Sequence, residues 1–184
     1  HTITAVGNAQ VDSSQAKFGI GSLAFGGTDD YLTVPDHANW YFGADPFTID
    51  FWIKFNVLPP TSNDQAAFCG QYADANNAWW FGLVGGISTQ HVFFRIKVSS
   101  STTVYYQWFT SGSLTPGIWY HIALVRNTTN LYLFINGVSQ TPVITNAVGS
   151  NEVPNLAGVL EIGGCYNHTY AMNGWLDEFR ISKG

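Results

Sequence analysis

The amino-acid sequence predicts an all-β protein, folded as a two-sheet antiparallel β-sandwich. Apolar and polar residues alternate along most of the chain, which is the periodicity of strands with one buried face, whereas helical periodicity is almost absent. Turn-forming pairs such as Asn136-Gly137 separate the alternating segments. Aromatic residues make up 16% of the chain and charged residues only 10%, a composition that suits packed strands and not a disordered chain.

The segment 47–55 shows the alternation most clearly, because five apolar residues occupy every second position between Thr48, Asp50, Trp52 and Lys54. The same pattern predicts further strands at 66–70, 78–84, 91–98, 103–110, 118–126, 130–135, 159–163 and 175–182, and shorter ones at 2–6, 22–25 and 31–34. A single helical turn is predicted near residues 36–40. Many short strands joined by turns are typical of a sandwich or a barrel.

Length and charge limit the possible classes of protein. The 184 residues fit a single domain, 1–184. The formal net charge is −5 and the seven Lys and Arg residues are scattered, so the clustered basic surface of a nucleic-acid-binding protein is missing. No apolar run approaches the length of a membrane span, so membrane insertion is not expected. No signal peptide is visible, and His1 is interpreted as a processed start or the edge of a module from a longer chain.

Several segments follow one another in a recognisable order. They are Gly21 to Phe25, Asp30 to Val34, Phe47 to Ile53, Trp119 to Val125, Leu131 to Gly137 and Gly174 to Ile181. From about Phe18 onward, this order resembles the laminin-G-like jelly-roll domains of the concanavalin A-like lectin and glucanase superfamily. The resemblance implies a jelly roll, but it implies less about function, because this scaffold carries lectins, adhesins and hydrolases. Similar modules are appended to bacterial surface proteins and to tail or capsid proteins of bacterial viruses.

Catalysis is not expected. Glycoside hydrolysis needs two carboxyl groups that flank the scissile bond, and the glucanases of the resembling superfamily carry them as Glu-x-Asp-x-Glu on one strand face. The three glutamates, Glu152, Glu161 and Glu178, do not form that pattern. Asp177 is adjacent to Glu178, so the two side chains point to opposite sheet faces, and Asp50 is a lone acid on its strand. No nucleophile-elbow motif is present.

Asp177 is the most informative acidic residue. It shares a face with Trp175 in the period-two pattern, so we expect a buried carboxylate that needs a cation or several N–H donors. The turn that contains Asp29 and Asp30 offers oxygen ligands of the kind that calcium prefers. The resemblance implies a structural calcium at these segments, with Asp29, Asp30 and Asp177 as its ligands. The alternative is that Asp177 accepts hydrogen bonds from backbone N–H groups.

The two cysteines, Cys69 and Cys165, are too far apart for a CxxC zinc or redox motif. From the residues alone they form either one disulfide, which fits an oxidising compartment, or two buried thiols. The resemblance places the loops that follow Cys69 and Cys165 side by side, and on that basis we predict a disulfide between them.

Two loops combine amide side chains with aromatic rings, which suits the hydroxyl groups and apolar faces of sugars. Their candidate ligand-binding residues are Gln71, Asn76, Asn77 and Trp79 in the first loop, and Tyr166, Asn167, His168 and Tyr170 in the second. In pentraxins, which resemble the chain in fold, the corresponding loops form a double-calcium site. The second loop lacks the acidic residues of that site, so the chain departs from the pentraxin pattern while keeping the two loops adjacent.

Five residues receive structural interpretations. At least one of Trp79 and Trp80 must face the core. His121 is interpreted as a buried, hydrogen-bonded histidine, and Glu178 with Arg180 as a surface ion pair of small energetic value.

These observations favour a carbohydrate-binding, lectin-like adhesion module that is not an enzyme and whose partners are glycans or glycosylated surfaces. The alternative is a structural or assembly module of an extracellular or bacterial-virus surface protein, such as a tail or capsid decoration, with neighbouring subunits as partners. The scarcity of Lys and Glu fits that alternative, because a chain inside an assembly needs less surface charge. Both hypotheses predict an extracellular, cell-surface or virion-surface location.

Overall fold

The computed structural model describes residues 1–86, 89–110 and 114–184. The predicted all-β class is confirmed, because two antiparallel sheets of eight and seven strands pack as a sandwich. Within the described ranges the one helical element is a 3₁₀ turn at Ala38–Trp40, inside the segment predicted to form a helical turn. No helix in this part of the chain is long and apolar enough to cross a membrane.

The strands in chain order are β1 (Thr4–Val6), β2 (Gln10–Asp12), β3 (Ser22–Gly26), β4 (Tyr31–Val34), β5 (Phe47–Val57), β6 (Gln65–Asp74), β7 (Asn77–Val84), β8 (His91–Val98), β9 (Ser101–Phe109), β10 (Trp119–Asn127), β11 (Asn130–Ile135), β12 (Val138–Gln140), β13 (Val143–Asn146), β14 (Leu160–Ile162) and β15 (Asn173–Lys183). The eight-stranded sheet has the order β1-β4-β14-β6-β7-β8-β9-β13, and the seven-stranded sheet has the order β12-β11-β10-β5-β15-β3-β2.

The core lies between the two sheets, and β5 shows how the sequence builds it. Its inward side chains, Phe47, Ile49, Phe51, Ile53 and Phe55, are at most 2% exposed, as the alternation predicts. Burial of each such side chain contributes roughly 1.5–3 kcal/mol relative to exposure. The central strands of the sandwich are therefore fixed by a continuous inter-sheet core.

Strand β7 is apolar on both faces, and this positions the candidate site. Trp79, Phe81 and Leu83 belong to the inter-sheet core. Ala78 and Trp80 point the opposite way, into a smaller cluster on the outer face of the eight-stranded sheet. The smaller cluster needs its own cover, which the segment after β14 supplies.

The predicted hairpin at Asn136-Gly137 is also present. Both residues have positive φ, 51° and 78°, as a type I′ turn requires. The turn joins β11 to β12, where Ile135 pairs with Val138. Glycine at position 137 adopts this conformation without the steric cost of a Cβ atom.

Candidate functional site

The two loops predicted to form a binding site lie side by side on the outer face of the eight-stranded sheet. The first is the turn between β6 and β7, and the second follows β14. The Tyr166 hydroxyl donates a hydrogen bond to the Ala75 carbonyl at 3.3 Å. Lys97 donates to the Tyr166 hydroxyl oxygen, also at 3.3 Å. The two loops are therefore in direct contact, as expected.

Four half-buried tyrosines surround the Trp80 ring on this face. This tyrosine platform consists of Tyr72, Tyr105, Tyr166 and Tyr170. Trp80 is only 2% exposed, and the Tyr166 and Tyr170 rings lie 5.1 and 6.4 Å from its ring. The Tyr166 ring also lies 5.5 Å from Tyr170 and 5.0 Å from Tyr72. The rings brace one another, so the platform is rigid and presents apolar edges and phenol groups together.

Two cations flank the tyrosine platform. The Arg95 guanidinium lies 5.3 Å from the Trp80 ring and 5.2 Å from the Tyr105 ring, within the range of cation–π attraction. Hydrogen bonds from Arg95 Nε and Nη2 to Thr102 Oγ1, at 3.3 and 2.8 Å, fix the guanidinium. Lys97 Nζ lies 5.9 Å from the Tyr166 ring. The platform is thus flanked by N–H donors that hydrogen bonds hold in place.

The predicted amide residues have unequal roles at this surface. Asn77 braces the turn, because its Nδ2 donates to the Asp74 carboxylate and its Oδ1 accepts from a backbone N–H. Asn76 Oδ1 accepts from Ser100 Oγ at 2.6 Å. Asn167 is exposed, and its amide makes no hydrogen bond within the described ranges. Of the three, Asn167 retains the whole of its hydrogen-bonding capacity for a ligand.

Gln71 and Trp79 were wrongly assigned to the ligand-binding surface. Gln71 is 1% exposed and Trp79 is completely buried. The Trp79 indole N–H donates to Gln71 Oε1 at 3.1 Å, and Gln71 Nε2 donates to the Gly158 carbonyl at 2.8 Å. Position 71 lies within β6 and not in the loop, so both side chains point between the sheets. Trp79 is the inward member of the Trp79-Trp80 pair, as one of the two was expected to be.

His168 anchors the second loop from below. Its ring stacks on Tyr31 at 4.2 Å, and Nε2 lies 3.2 Å from the Tyr31 hydroxyl. Its Nδ1 lies 3.3 Å from Glu161 Oε1. The backbone φ angles are positive, between 56° and 64°, at Tyr166, Asn167 and His168. Residues other than glycine rarely adopt this conformation. The stacked histidine therefore holds a strained turn in place beneath the tyrosine platform.

Glu161 is a buried carboxyl group whose pKa is raised to about 7 by burial. The groups that face it are His168 Nδ1, the Tyr31 hydroxyl and the Cys165 thiol. Because the raised pKa means that the folded protein holds this proton more tightly than the unfolded chain does, protonation of Glu161 stabilises the fold. The contribution is complete below the pKa of the unfolded chain, about 4.5, and is lost as the pH rises through the pKa of the folded protein, about 7.

We therefore expect stability to fall with rising pH in a way that depends on Glu161. Glu161→Gln keeps the shape of the protonated side chain but cannot ionise. Relative to this variant, the parent should lose about 1–3 kcal/mol of unfolding free energy between about pH 5 and about pH 8. Urea unfolding of both proteins across this range measures the difference. Parallel pH profiles for parent and variant would contradict the prediction.

The residues predicted to bind calcium do not fit a common metal site. Within the described ranges, no group of three or more His, Cys, Asp or Glu side chains is arranged to hold a metal ion. Asp177 Oδ2 accepts from the backbone N–H groups of Lys17 and Phe18, at 2.8 and 2.9 Å. Asp30 accepts from two other backbone N–H groups, at 2.6 and 2.8 Å. Asp29 has positive φ and completes no site with them. The alternative interpretation of Asp177 as a backbone hydrogen-bond acceptor is the one that the geometry supports.

Asp177→Asn should therefore destabilise the fold whether or not calcium is present. Asparagine loses one acceptor oxygen and places an NH₂ group among N–H donors, which should cost about 1–3 kcal/mol. Thermal melts of parent and variant in calcium and in EDTA test this expectation. A calcium-dependent rise in the Tm of the parent that disappears in the variant would restore the calcium site.

The predicted disulfide is absent, and both cysteines are buried free thiols. Cys69 packs in the inter-sheet core, whereas Cys165 packs in the outer cluster. Cys165 lies over Gly70, where an added Cβ would come within 2.6 Å of its sulfur. Burial raises the pKa of both thiols, which makes them unreactive. The prediction failed because adjacent loops do not place both cysteines on the same side of the sheet.

The outer face of the seven-stranded sheet carries a groove that the sequence interpretation missed. The groove encloses about 630 Å³. Its floor is the ion pair between Asp50 and Arg180, in which Arg180 Nε and Nη2 donate to the carboxylate at 3.1 and 2.8 Å. His121 Nε2 lies 3.7 Å from Asp50, and its side chain is 32% exposed, so His121 is not the buried histidine expected. The Trp52 ring is covered by Lys17 Nζ at 4.2 Å.

A β-bulge explains why Arg180 pairs with Asp50 and not with Glu178. The pairing of β15 with β5 shifts between Asp177 and Arg180, and Glu178 has a φ of 51°. The bulge breaks the period-two alternation, so the spacing of two residues no longer places Glu178 and Arg180 side by side on one face of the sheet. No residue pattern in the sequence signals this bulge.

Comparison with known proteins gives a consistent assignment. The sequence profile described as "Concanavalin A-like lectin/glucanases superfamily" matches residues 25–184. Among curated protein sequences, no match to the chain is found.

Three solved structures illustrate the likeness of fold. Domain 4 of an extracellular GH43 arabinanase from Geobacillus stearothermophilus, in complex with arabinotriose, has a TM-score of 0.70 and 20% identity, over 100% of this chain and 82% of that one. Mouse laminin alpha1 domains LG4-5 give a TM-score of 0.65 and 14% identity, over 96% of this chain and 43% of that one. A structure from work on botulinum neurotoxin type C and its interaction with two ganglioside molecules gives 0.62 and 18%, over 98% of this chain and 42% of that one. The chain thus spans less than half the length of the laminin and neurotoxin chains.

The profile covers most of the chain, and the two-sheet sandwich described above agrees with it. The chain therefore belongs to the concanavalin A-like lectin/glucanase superfamily and is a laminin-G-type domain.

Proposed function

We propose that this domain is a non-catalytic carbohydrate-binding module and that the tyrosine platform is its binding surface. The observation that carries the proposal is the bracing of Tyr166 and Tyr170 on Trp80, at 5.1 and 6.4 Å. Aromatic rings held in fixed positions match the apolar faces of pyranose or furanose rings and lose little conformational entropy on binding.

Polar groups beside the tyrosine platform supply the hydrogen bonds. Asn167 is exposed with an unoccupied amide, Arg95 and Lys97 provide N–H donors at the edge, and Asn76 lies on the adjoining turn. Amides donate and accept at once, as sugar hydroxyl groups do. The nearby Asp74 carboxylate accepts hydrogen bonds from Asn77, and the cations Arg95 and Lys97 lie beside the platform, so the surface suits neutral or acidic sugars.

Two fold relatives support the class of ligand. One is described in complex with arabinotriose and another through its interaction with ganglioside molecules. The proposal that catalysis is absent is supported by the carboxylates of this chain. Asp50 is held by Arg180, and Glu161 is buried beneath the second loop, so neither is presented with a second carboxyl group across an open site.

Tyr166→Ala should weaken oligosaccharide binding by about tenfold or more, because one stacking surface and its bracing contacts are lost. Tyr166→Phe keeps the ring and loses only the hydroxyl contacts to the loop, so it should bind nearly as the parent does. Binding is measured by a glycan array followed by calorimetry with the strongest oligosaccharide.

Tyr132→Ala is the matched control, since Tyr132 is an exposed aromatic residue of the seven-stranded sheet. Its affinity should equal that of the parent. If Tyr166→Ala binds the glycan as tightly as Tyr132→Ala, the tyrosine platform is not the binding surface.

We further propose that the domain acts outside the cell as a module of a larger surface protein.

One observation favours assembly with neighbouring subunits as a second candidate function. Val143 and Ile144 on the edge strand β13 are 53% and 47% exposed, beside Phe109 at 46%, and exposed apolar edge strands are suited to pairing with another chain. A mass above the monomer by light scattering, together with no binding on the array, would favour this function.

A further inference from the structure

A second cleft lies on the outer face of the seven-stranded sheet, on the opposite side of the sandwich from the tyrosine platform. It encloses about 320 Å³ beside Trp175. Gln10, Ala24 and Trp175 stand in one row across β2, β3 and β15, because Ala24 pairs with both of the others. The small Ala24 side chain forms the floor of the cleft, and the larger Gln10 and Trp175 side chains form its two walls.

The floor continues along β3 to Gly26, which cannot carry a side chain. A Cβ atom at this position would lie 2.6 Å from Asp30 Oδ2, and that oxygen accepts the Gly26 N–H at 2.8 Å. The absence of a side chain at Gly26 therefore leaves room for the Asp30 carboxylate, which lines the cleft beside Asn173, the partner of Gly26 across the strands.

The aromatic wall of the cleft is held in place before any ligand binds. The Trp175 indole N–H donates to Asp12 Oδ2 at 2.9 Å, and Asp12 Oδ1 accepts from the Ser14 N–H and hydroxyl at 2.8 and 2.7 Å. Lys54 Nζ lies 5.2 Å from the Trp175 ring. Fixed side chains lose little conformational entropy on binding, which is the property of a preorganised site.

Four amide side chains line the same cleft. Asn173 is fixed, since its Nδ2 donates to the Gly26 carbonyl at 2.8 Å and its Oδ1 accepts from Asn56 Nδ2 at 3.0 Å. Asn8 and Gln10 are exposed, and their amides make no hydrogen bond to the described residues. The cleft thus offers both oriented and adaptable groups that donate and accept hydrogen bonds.

The charged side chains in the cleft already have hydrogen-bond partners. Both oxygens of Asp30 accept backbone N–H groups, at 2.6 and 2.8 Å. Asp12 is occupied as described, and Lys54 Nζ donates to Gln15 Oε1 at 2.5 Å. These charged groups already have hydrogen-bond partners among the described residues, and the two carboxylates, Asp12 and Asp30, repel an anion. The chemistry therefore favours an uncharged polyhydroxylated ligand with an apolar face.

The cleft also continues beyond a single sugar unit. An adjoining groove of about 290 Å³ shares Gly26 and Asn173 with it and leads to Thr28, Asp64 and Thr169. Together the two grooves provide a path for a short oligosaccharide, with one unit against Trp175.

We infer that the Trp175 cleft is a second carbohydrate-binding site, for a neutral oligosaccharide, independent of the tyrosine platform. The inference goes beyond the proposed function, because it makes the domain bivalent, with one site on each sheet. A bivalent domain can bridge two glycan chains, and linked weak sites gain avidity without new contacts.

The test uses the indole N–H signal of Trp175 in a nitrogen-15 NMR spectrum, assigned by comparison with Trp175→Phe. The probes are arabinotriose, maltotriose and cellotriose at millimolar concentration. At least one probe should move the Trp175 signal in a saturable way. Gln10→Ala should weaken this binding by about fivefold, the loss expected for a hydrogen bond or two.

Ala24→Leu fills the floor between Gln10 and Trp175 and should abolish the saturable shift, while Tyr132→Ala on the same sheet should leave it unchanged. Tyr166→Ala distinguishes the two sites. If the Trp175 shift persists in Tyr166→Ala, the second site stands, even where the tyrosine platform proves not to bind. A Trp175 signal that no probe moves, that moves equally in Ala24→Leu, or that stops moving in Tyr166→Ala overturns the inference.

Discussion

Replacing Arg126 with methionine is expected to destabilise the fold by about 3–5 kcal/mol, the largest loss of stability that we anticipate from one polar substitution. The Arg126 guanidinium is 1% exposed. It donates to four backbone carbonyls, those of Gly43, Thr128, Gly149 and Asn151, at 2.7 to 3.2 Å. Methionine fills part of the space but removes the donor to the carbonyls of Thr128, Gly149 and Asn151. The Gly43 carbonyl loses one donor and keeps the Val153 N–H, at 2.8 Å. Each buried polar group that loses its partner costs about 1–3 kcal/mol.

Arg126→Lys separates charge from geometry. Lysine keeps the positive charge but is a point donor that cannot reach four carbonyls in a planar arrangement, so an intermediate loss of stability is expected. Chemical denaturation at neutral pH measures both variants, and Val125→Ala on the neighbouring position serves as the control for a change on the outer face. An Arg126→Met protein within about 1 kcal/mol of the parent would show that the loops satisfy their carbonyls without arginine.

The alternation of residues predicted the fold because most strands have one face in the inter-sheet core. Strands β2, β12 and β13 were missed because they have no such buried face. They lie at sheet edges and are almost entirely exposed, so no buried face imposes a period of two on their sequences.

The site was only partly predictable, because side-chain direction depends on small shifts of strand register. The expected contact between the two loops is present, since Tyr166 reaches Ala75 in the β6–β7 turn and Tyr170 packs on Tyr166. Gln71 was placed in that loop, but β6 runs on to Asp74, with register shifts after Ala67 and Tyr72. Such bulges invert which residues face the core, and a single sequence gives no sign of them.

The Trp175 cleft depends on contacts that no local pattern contains. Gln10 and Trp175 are separated by most of the chain, and only the pairing of β2 and β15 with β3 brings them to one row. The turn signals and alternation predict that these segments are strands. They do not predict which strands are neighbours, because that depends on the packing of the whole sandwich.

Trp80→Ala should remove the support of the tyrosine platform and with it the binding of oligosaccharide. Trp80 is 2% exposed, contacts the Tyr166 and Tyr170 rings, and donates its indole N–H to Gln65 Oε1 at 3.2 Å. Truncation of a buried tryptophan to alanine costs about 3–5 kcal/mol of stability. Without the indole ring, Tyr166 and Tyr170 lose the surface that fixes them, so affinity should fall by about tenfold or more in molecules that remain folded.

Trp108→Ala is the control that separates stability from binding. Trp108 is completely buried in the inter-sheet core. Its truncation should lower the free energy of unfolding by about 3–5 kcal/mol, as for Trp80, while leaving the outer face intact. Calorimetric titration at a temperature where circular dichroism shows both variants folded gives the comparison. Trp108→Ala should bind with the affinity of the parent and Trp80→Ala should not. Equal affinities of the two variants would mean that the aromatic cluster around Trp80 stabilises the fold without forming the binding surface.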